Sequence, residues 1–153
     1  MKPPLGDTLV ICDMDNTLLT AKEGIPACNR AVIRLYTGMG GLFTVATGRP
    51  PESIRAALGN LKLSLPAISC NGALLYDFST ESVLHRSTLN REQATTAIID
   101  ILAKFPRMGV EVMAGNGEMY VIHANEVTHA HQVDEHLGSI ACPVESVPVS
   151  YTH

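Results

Sequence analysis

Thr8-Leu9-Val10-Ile11-Cys12-Asp13-Met14-Asp15-Asn16-Thr17-Leu18 is the stretch on which the fold turns. Its first half is continuously apolar and β-branched, the pattern of a central strand covered on both faces in a parallel sheet, and it ends in two carboxylates one residue apart. Past a polar loop, Pro26 opens a helical segment bearing Ala27, Ala31, Ile33, Leu35 and Tyr36, which Gly38, Gly40 and Gly41 close. Residues 42 to 46 repeat the buried-strand pattern. Thr47-Gly48-Arg49-Pro50-Pro51 then leads into a helix from about residue 52 to 58, and residues 65 to 70 form a third strand before the turn pair Asn71-Gly72. Residues 74 to 77 continue extended. Strand, helix, strand, helix, strand is the alternation of an α/β fold, a Rossmann-like doubly wound parallel sheet.

The pattern changes near residue 85. Asn90 caps a helix in which Ala94, Ala97, Ile98, Ile101 and Leu102 recur at helical spacing until Pro106. Residues 110 to 113 and 119 to 122 alternate like strands about Gly115-Asn116-Gly117, a hairpin turn, and a further helix spans about 125 to 137. The last fifteen residues carry no clear pattern. The expected organisation is a core unit over residues 1–84 and the start of an inserted α+β unit over 85–153.

The chain has 153 residues, 46% of them hydrophobic and 17% charged, which supplies a buried core and excludes a disordered chain. Its 11 Lys and Arg stand against 15 Asp and Glu, a net charge of -4 with no basic cluster, so nucleic acid is not an expected partner. No apolar run reaches the roughly 18 residues of a membrane span, and no export signal opens the chain, so the expectation is a cytoplasmic protein without a membrane partner. Cys12, Cys28, Cys70 and Cys142 have neither metal-finger nor CxxC spacing and read as reduced thiols.

In an open α/β sheet, reactive groups gather beyond the carboxyl ends of the strands. Asp13 and Asp15 stand at such an end. Two close carboxylates repel; a divalent cation keeps one ionised as a nucleophile while the other serves as acid and base. Thr47-Gly48, past the second strand, offers a hydroxyl and backbone N–H groups to an anion such as a phosphoryl group, and Asn71-Gly72 holds the matching place after the third.

Asp13-Met14-Asp15-Asn16-Thr17-Leu18 resembles the first motif of the haloacid dehalogenase-like phosphohydrolases. Val45-Ala46-Thr47-Gly48-Arg49-Pro50 is similar to their second motif, and residues 69 to 77, with Asn71-Gly72-Ala73, resemble the NGA segment of the Cof-type subfamily. The resemblance covers the whole chain, with residues from about 85 looking like the opening of that family's cap domain. Asn16 replaces the usual glycine, a change Asn tolerates because it accepts left-handed turn conformations.

The resemblance implies a Mg²⁺-dependent phosphatase of small phosphorylated metabolites such as sugar phosphates. Asp13 would be the nucleophile that forms an aspartyl-phosphate, and Asp15 the group that protonates the leaving alcohol and then activates water. The Asp13 carboxylate and Asp15 backbone carbonyl would hold Mg²⁺, and Thr47 would bond the phosphoryl group, with Gly48, Arg49 and Asn71 as further substrate-side residues. The family's later Lys and acidic pair have no match here: Lys104 and Asp134-Glu135 read as solvated helix residues. The expectation follows that these residues are the front of a longer phosphatase with little activity alone, and that the apolar run 9 to 11 lies at an open sheet edge through which copies associate. A non-catalytic phosphate-binding or regulatory domain and a phosphomutase-type transferase are the alternatives. His129 and His131 fall on opposite sides of one helix, so with His136 they form no ligand set, and Cys12 and Cys70 read as small hydrophobes.

Overall fold

The computed structural model describes residues 4–20, 24–115, 117–134 and 138–146, and the backbone of 151–152. The chain divides into two units, Met1–His85 and Arg86–His153.

In the first unit, β1 (Leu9–Cys12) pairs in parallel with β2 (Leu42–Val45), Leu9 opposite Leu42 and Cys12 opposite Val45. α1 (Ala27–Gly38) connects them and begins directly after Pro26, whose fixed φ suits a helix start. α2 (Pro51–Leu58) carries a proline in its first turn and stops at Gly59, whose φ of +55° an L side chain rarely adopts. Its exposed carbonyl end is covered from α1, where Arg30 donates from Nη1 to the Leu58 carbonyl at 2.6 Å and from Nη2 to that of Ala57 at 3.3 Å. β3 (Ala67–Ser69) lies in parallel beside β2 through the Ala46–Ile68 bridge. Met14, Ile33, Phe43, Val45, Ile54, Leu58 and Ala67 form the core under this layer.

Two expectations are corrected here. Residues 74 to 77 are extended as expected, but the layer is not parallel throughout: β4 (Leu74–Asp77) folds back antiparallel on β3, and β5 (Ser82–Arg86), which the sequence pattern did not mark, continues that sheet. The reason is the left-handed backbone at Cys70 and Asn71, with φ of +51° and +54°, which reverses the chain within a single 3-10 turn at Cys70–Gly72. Nor is β1 covered on both faces. Among the described residues its one sheet neighbour is β2, and Leu9, Val10 and Ile11 are 47%, 40% and 50% exposed. The open edge is there; the covered strand is not.

In the second unit, β6 (Val110–Ala114) and β7 (Met119–His123) form the antiparallel hairpin, although its Asn116 lies outside the described residues. β8 (Ser139–Ala141) joins β7 in parallel and β9 (Tyr151–Thr152) joins β6 antiparallel, two strands too short to leave a sequence pattern. α3 (Arg91–Lys104) places Ala94 and Ile98 in one cluster with Val112, Ala114 and Tyr120, which share a sheet face by their two-residue alternation. Asn90 caps it, accepting from Glu92 N–H at 2.9 Å and Gln93 N–H at 3.4 Å. On the other face, Glu111 meets α4 (Glu126–Asp134), where Gln132 donates to it at 3.0 Å and His131 Nδ1 lies 2.7 Å away. No described helix is long and apolar enough to cross a membrane.

Candidate active site

Three loops meet where β1, β2 and β3 end. In the first, Met14 is fully buried between exposed Asp13 and Asp15, so the odd-numbered side chains face outward together. The Met14 carbonyl accepts from the N–H groups of Thr17, Leu18 and Leu19 and ties the loop into a tight coil. Asn16 takes φ of +57°, the left-handed conformation expected of it. Thr17 Oγ1 donates to Asp13 Oδ2 at 3.0 Å, fixing the carboxylate that leaves the sheet first.

The second and third loops are stitched together through backbone. Asn71 N–H donates to the Thr47 carbonyl at 3.1 Å and Cys70 N–H to the Arg49 carbonyl at 3.2 Å. Thr47 is buried, and its Oγ1 accepts from Arg49 N–H at 3.2 Å, which leaves the hydroxyl hydrogen to donate elsewhere. Gly48 lies close under Asn71: a Cβ there would sit 3.1 Å from Asn71 Oδ1, so the amide would have to shift by a few tenths of an ångström. Asn71, held in a left-handed conformation that costs a non-glycine residue energy, thus lays its amide against the Gly48 backbone.

Arg49 joins the loops. It grips Asp15 with a side-on fork, Nε to Oδ2 at 2.9 Å and to Oδ1 at 3.2 Å, and Nη2 to Oδ1 at 2.7 Å. Its Nη1 donates to Ser53 Oγ at 2.7 Å, and its carbonyl accepts from Ser69 Oγ at 2.7 Å. Hydrogen bonding to Arg49 holds the Asp15 carboxyl below the usual aspartate range, against the opposing pull of partial burial. Next to Asp13, burial and then the Asp13 charge push the Cys12 thiol up, so it stays a neutral thiol and donates to the Asp13 carbonyl at 3.1 Å.

The structure brings Asp13 and Asp15 to the end of β1, and joins Asp15 to Arg49, Arg49 to Thr47, and Gly48 to Asn71. The donors at the end of β1 are oxygens, carboxylate and carbonyl, the chemistry that suits Mg²⁺. Beyond the site, Lys104 and Asp134 are exposed as expected, while Glu135 and His136 lie outside the described residues.

A family model for haloacid dehalogenase-like hydrolases matches residues 10–142. The chain belongs to that family. Among curated relatives, 93 residues are 36% identical to 5-amino-6-(5-phospho-D-ribitylamino)uracil phosphatase YwtE of Bacillus subtilis, a match over 61% of this chain and 31% of YwtE. A 77-residue stretch is 36% identical to pyridoxal phosphate phosphatase YbhA of Escherichia coli, over 50% of this chain and 28% of YbhA. The matches thus span about a third of those relatives' length. The fold is that of a haloacid dehalogenase-like hydrolase from B. subtilis, with a TM-score of 0.75 at 20% identity over 94% of this chain and 59% of that one. It is likewise that of TM0651 from Thermotoga maritima, with a TM-score of 0.75 at 22% identity over 95% of this chain and 54% of its own.

Sequence reasoning missed two residues of the site, Ser53 and Ser69, which are 1% and 0% exposed. The signal was present: each is a hydroxyl at a core position of an apolar element, and a buried hydroxyl needs a partner. In this chain both partners are on Arg49.

Proposed function

We propose that this chain carries the phosphoryl-transfer half-site of a Mg²⁺-dependent phosphatase acting on small phosphorylated metabolites. The observation that carries the reading is the pair of outward carboxylates at the end of β1, one fixed by Thr17 and the other in the fork of Arg49, facing a loop system stitched by backbone bonds. The relatives' names, a phosphoribitylamino-uracil phosphatase and a pyridoxal phosphate phosphatase, support a small ester as substrate.

In this reading a carboxylate oxygen of Asp13 attacks phosphorus, an Asp13 O–P bond forms, and the ester P–O bond breaks. Asp15 gives its proton to the leaving alcohol, then takes one from a water that attacks the aspartyl-phosphate, freeing inorganic phosphate and the Asp13 carboxylate. Thr47 O–H donates to a phosphoryl oxygen. The Asp13 carboxylate and the Asp15 carbonyl would hold Mg²⁺, which would supply charge neutralisation at the phosphoryl oxygens. The second unit, Arg86–His153, corresponds in this reading to the start of the family's cap domain.

The test is acid-quenched mass spectrometry after incubation with pyridoxal phosphate or a hexose phosphate and Mg²⁺. A phosphoryl adduct on the peptide containing Asp13 is expected, lost in Asp13→Asn and accumulating in Asp15→Asn. An adduct on another residue, or none with any ester, would overturn the proposal.

A further inference from the structure

The Arg49 side chain is 14% exposed and that of Asp15 is 48% exposed, so the two ends of this ion pair are not equally free to move. Arg49 is anchored from behind. Ser53 Oγ, itself 1% exposed on α2, accepts from Nη1, while Ser69 Oγ and Cys70 N–H hold the Arg49 carbonyl. That leaves the Nε–Nη2 edge of the guanidinium aimed at the end of β1, and there it receives both oxygens of one carboxylate. A guanidinium edge accepts two oxygens of a phosphoryl group in the same planar, two-point geometry. A largely buried cation keeps an anion beside it whatever the anion's source, because an unpaired buried charge is costly.

We propose that Arg49 is an anion fork which the substrate's phosphoryl group takes over, and that Asp15 fills the fork only in the substrate-free chain. The exchange rests on the phosphatase reading above and names what triggers its acid–base residue. While Asp15 sits in the fork both its oxygens accept from Arg49, so the guanidinium, and not a leaving-group oxygen or water, sets the direction of the carboxylate. A phosphoryl dianion brings more charge to the guanidinium than a carboxylate does, and Asp15, on the exposed end, is the partner that swings away. Arrival of the substrate thereby frees the residue that must act on it. Ser53 is a positioning residue in this device, keeping the guanidinium facing the site when its occupant changes.

The experiment is an NMR titration of the full 153-residue chain with inorganic phosphate at constant Mg²⁺, following the Asp15 carboxyl carbon and the Arg49 Nε–H signal. On saturation the Asp15 carbon is expected to move to the position it has in Arg49→Lys, while the Arg49 Nε–H stays protected from exchange because phosphate replaces the carboxylate. Asp15→Asn is expected to bind phosphate about tenfold more tightly than the wild type, and Asp13→Asn, which removes the same charge without emptying the fork, to gain less. Arg49→Lys, which keeps the charge and loses the fork, is expected to weaken binding at least tenfold. Binding that leaves the Asp15 signal in place, or that Arg49→Lys does not weaken, would overturn the exchange while leaving the phosphatase reading intact. No phosphate binding by wild type or Asp15→Asn would overturn both.

Discussion

The loops at the ends of β1, β2 and β3 and the four-stranded sheet of the second unit treat polar residues in opposite ways. Around the loops, the buried hydroxyls of Thr47, of Ser53 on α2 and of Ser69 at the end of β3 all bond Arg49, and three non-glycine residues, Asn16, Cys70 and Asn71, sit at positive φ. In the second unit the polar contacts are of the kind any stable fold makes: Asn90 caps α3, and Asn125 closes the start of α4 by accepting from Val127 and Thr128 N–H. No positive-φ residue other than glycine lies among its described residues. Positive-φ strain collects where a site must be held in one geometry, whereas in the second unit polar groups serve caps and a packed face.

The contrast can be broken most forcefully at its base. Ile54 is fully buried on α2, the residue after Ser53, and Ile54→Ala is expected to cost about 3 kcal/mol, read from urea unfolding of the first unit. A loss under about 1 kcal/mol would show that the layer carrying the loops is loosely packed. The matching change in the second unit, Asn90→Ala, removes only a helix cap and is expected to cost about 1 kcal/mol, with amide exchange rising in the first turn of α3. Asn71→Gly sharpens the comparison from the other side: relief of the left-handed backbone is expected to stabilise the fold by about 0.5 kcal/mol while weakening phosphate binding, since the amide over Gly48 is lost. Stability that falls instead would mean that the amide's packing outweighs the strain.

The smallest effect is one of pH. The folded value of Asp15 lies below its unfolded value, so its contribution to stability is present above about pH 4, the ordinary aspartate range, and is lost as pH falls through the lowered folded value. Because Asp15 is half exposed the contribution is modest. Melting temperatures of wild type and Asp15→Asn should run parallel from pH 7 to 5 and converge below pH 4. Curves that stay parallel to pH 2 would argue against the Arg49 pair.

Much of this was legible because the decisive signals are local. The run before Asp13, the carboxylates at alternate positions 13 and 15, and the helix expected from about residue 52 to 58 each rest on a few neighbouring residues, and the structure has a strand and a helix there. The role of Arg49 was not, because its partners Asp15, Ser53 and Ser69 are brought together only by the β1–β2–β3 crossovers. The turn at Asn71-Gly72 was legible, whereas the antiparallel direction it gives β4 was not, since the left-handed residue that starts it, Cys70, is of a type that does not announce one. Strands of three and two residues, β8 and β9, leave too little alternation to read.

The most direct measurement of the central claim is a ¹H–¹⁵N NMR spectrum of the chain with beryllofluoride, a mimic of the phosphoryl group on a carboxylate, recorded with and without Mg²⁺. Shifts confined to residues 13–17, 47–49 and 69–72, requiring Mg²⁺ and abolished by Asp13→Asn, are the expected result. Unchanged spectra, or shifts that persist in Asp13→Asn, would contradict the assignment of Asp13 as the phosphoryl acceptor.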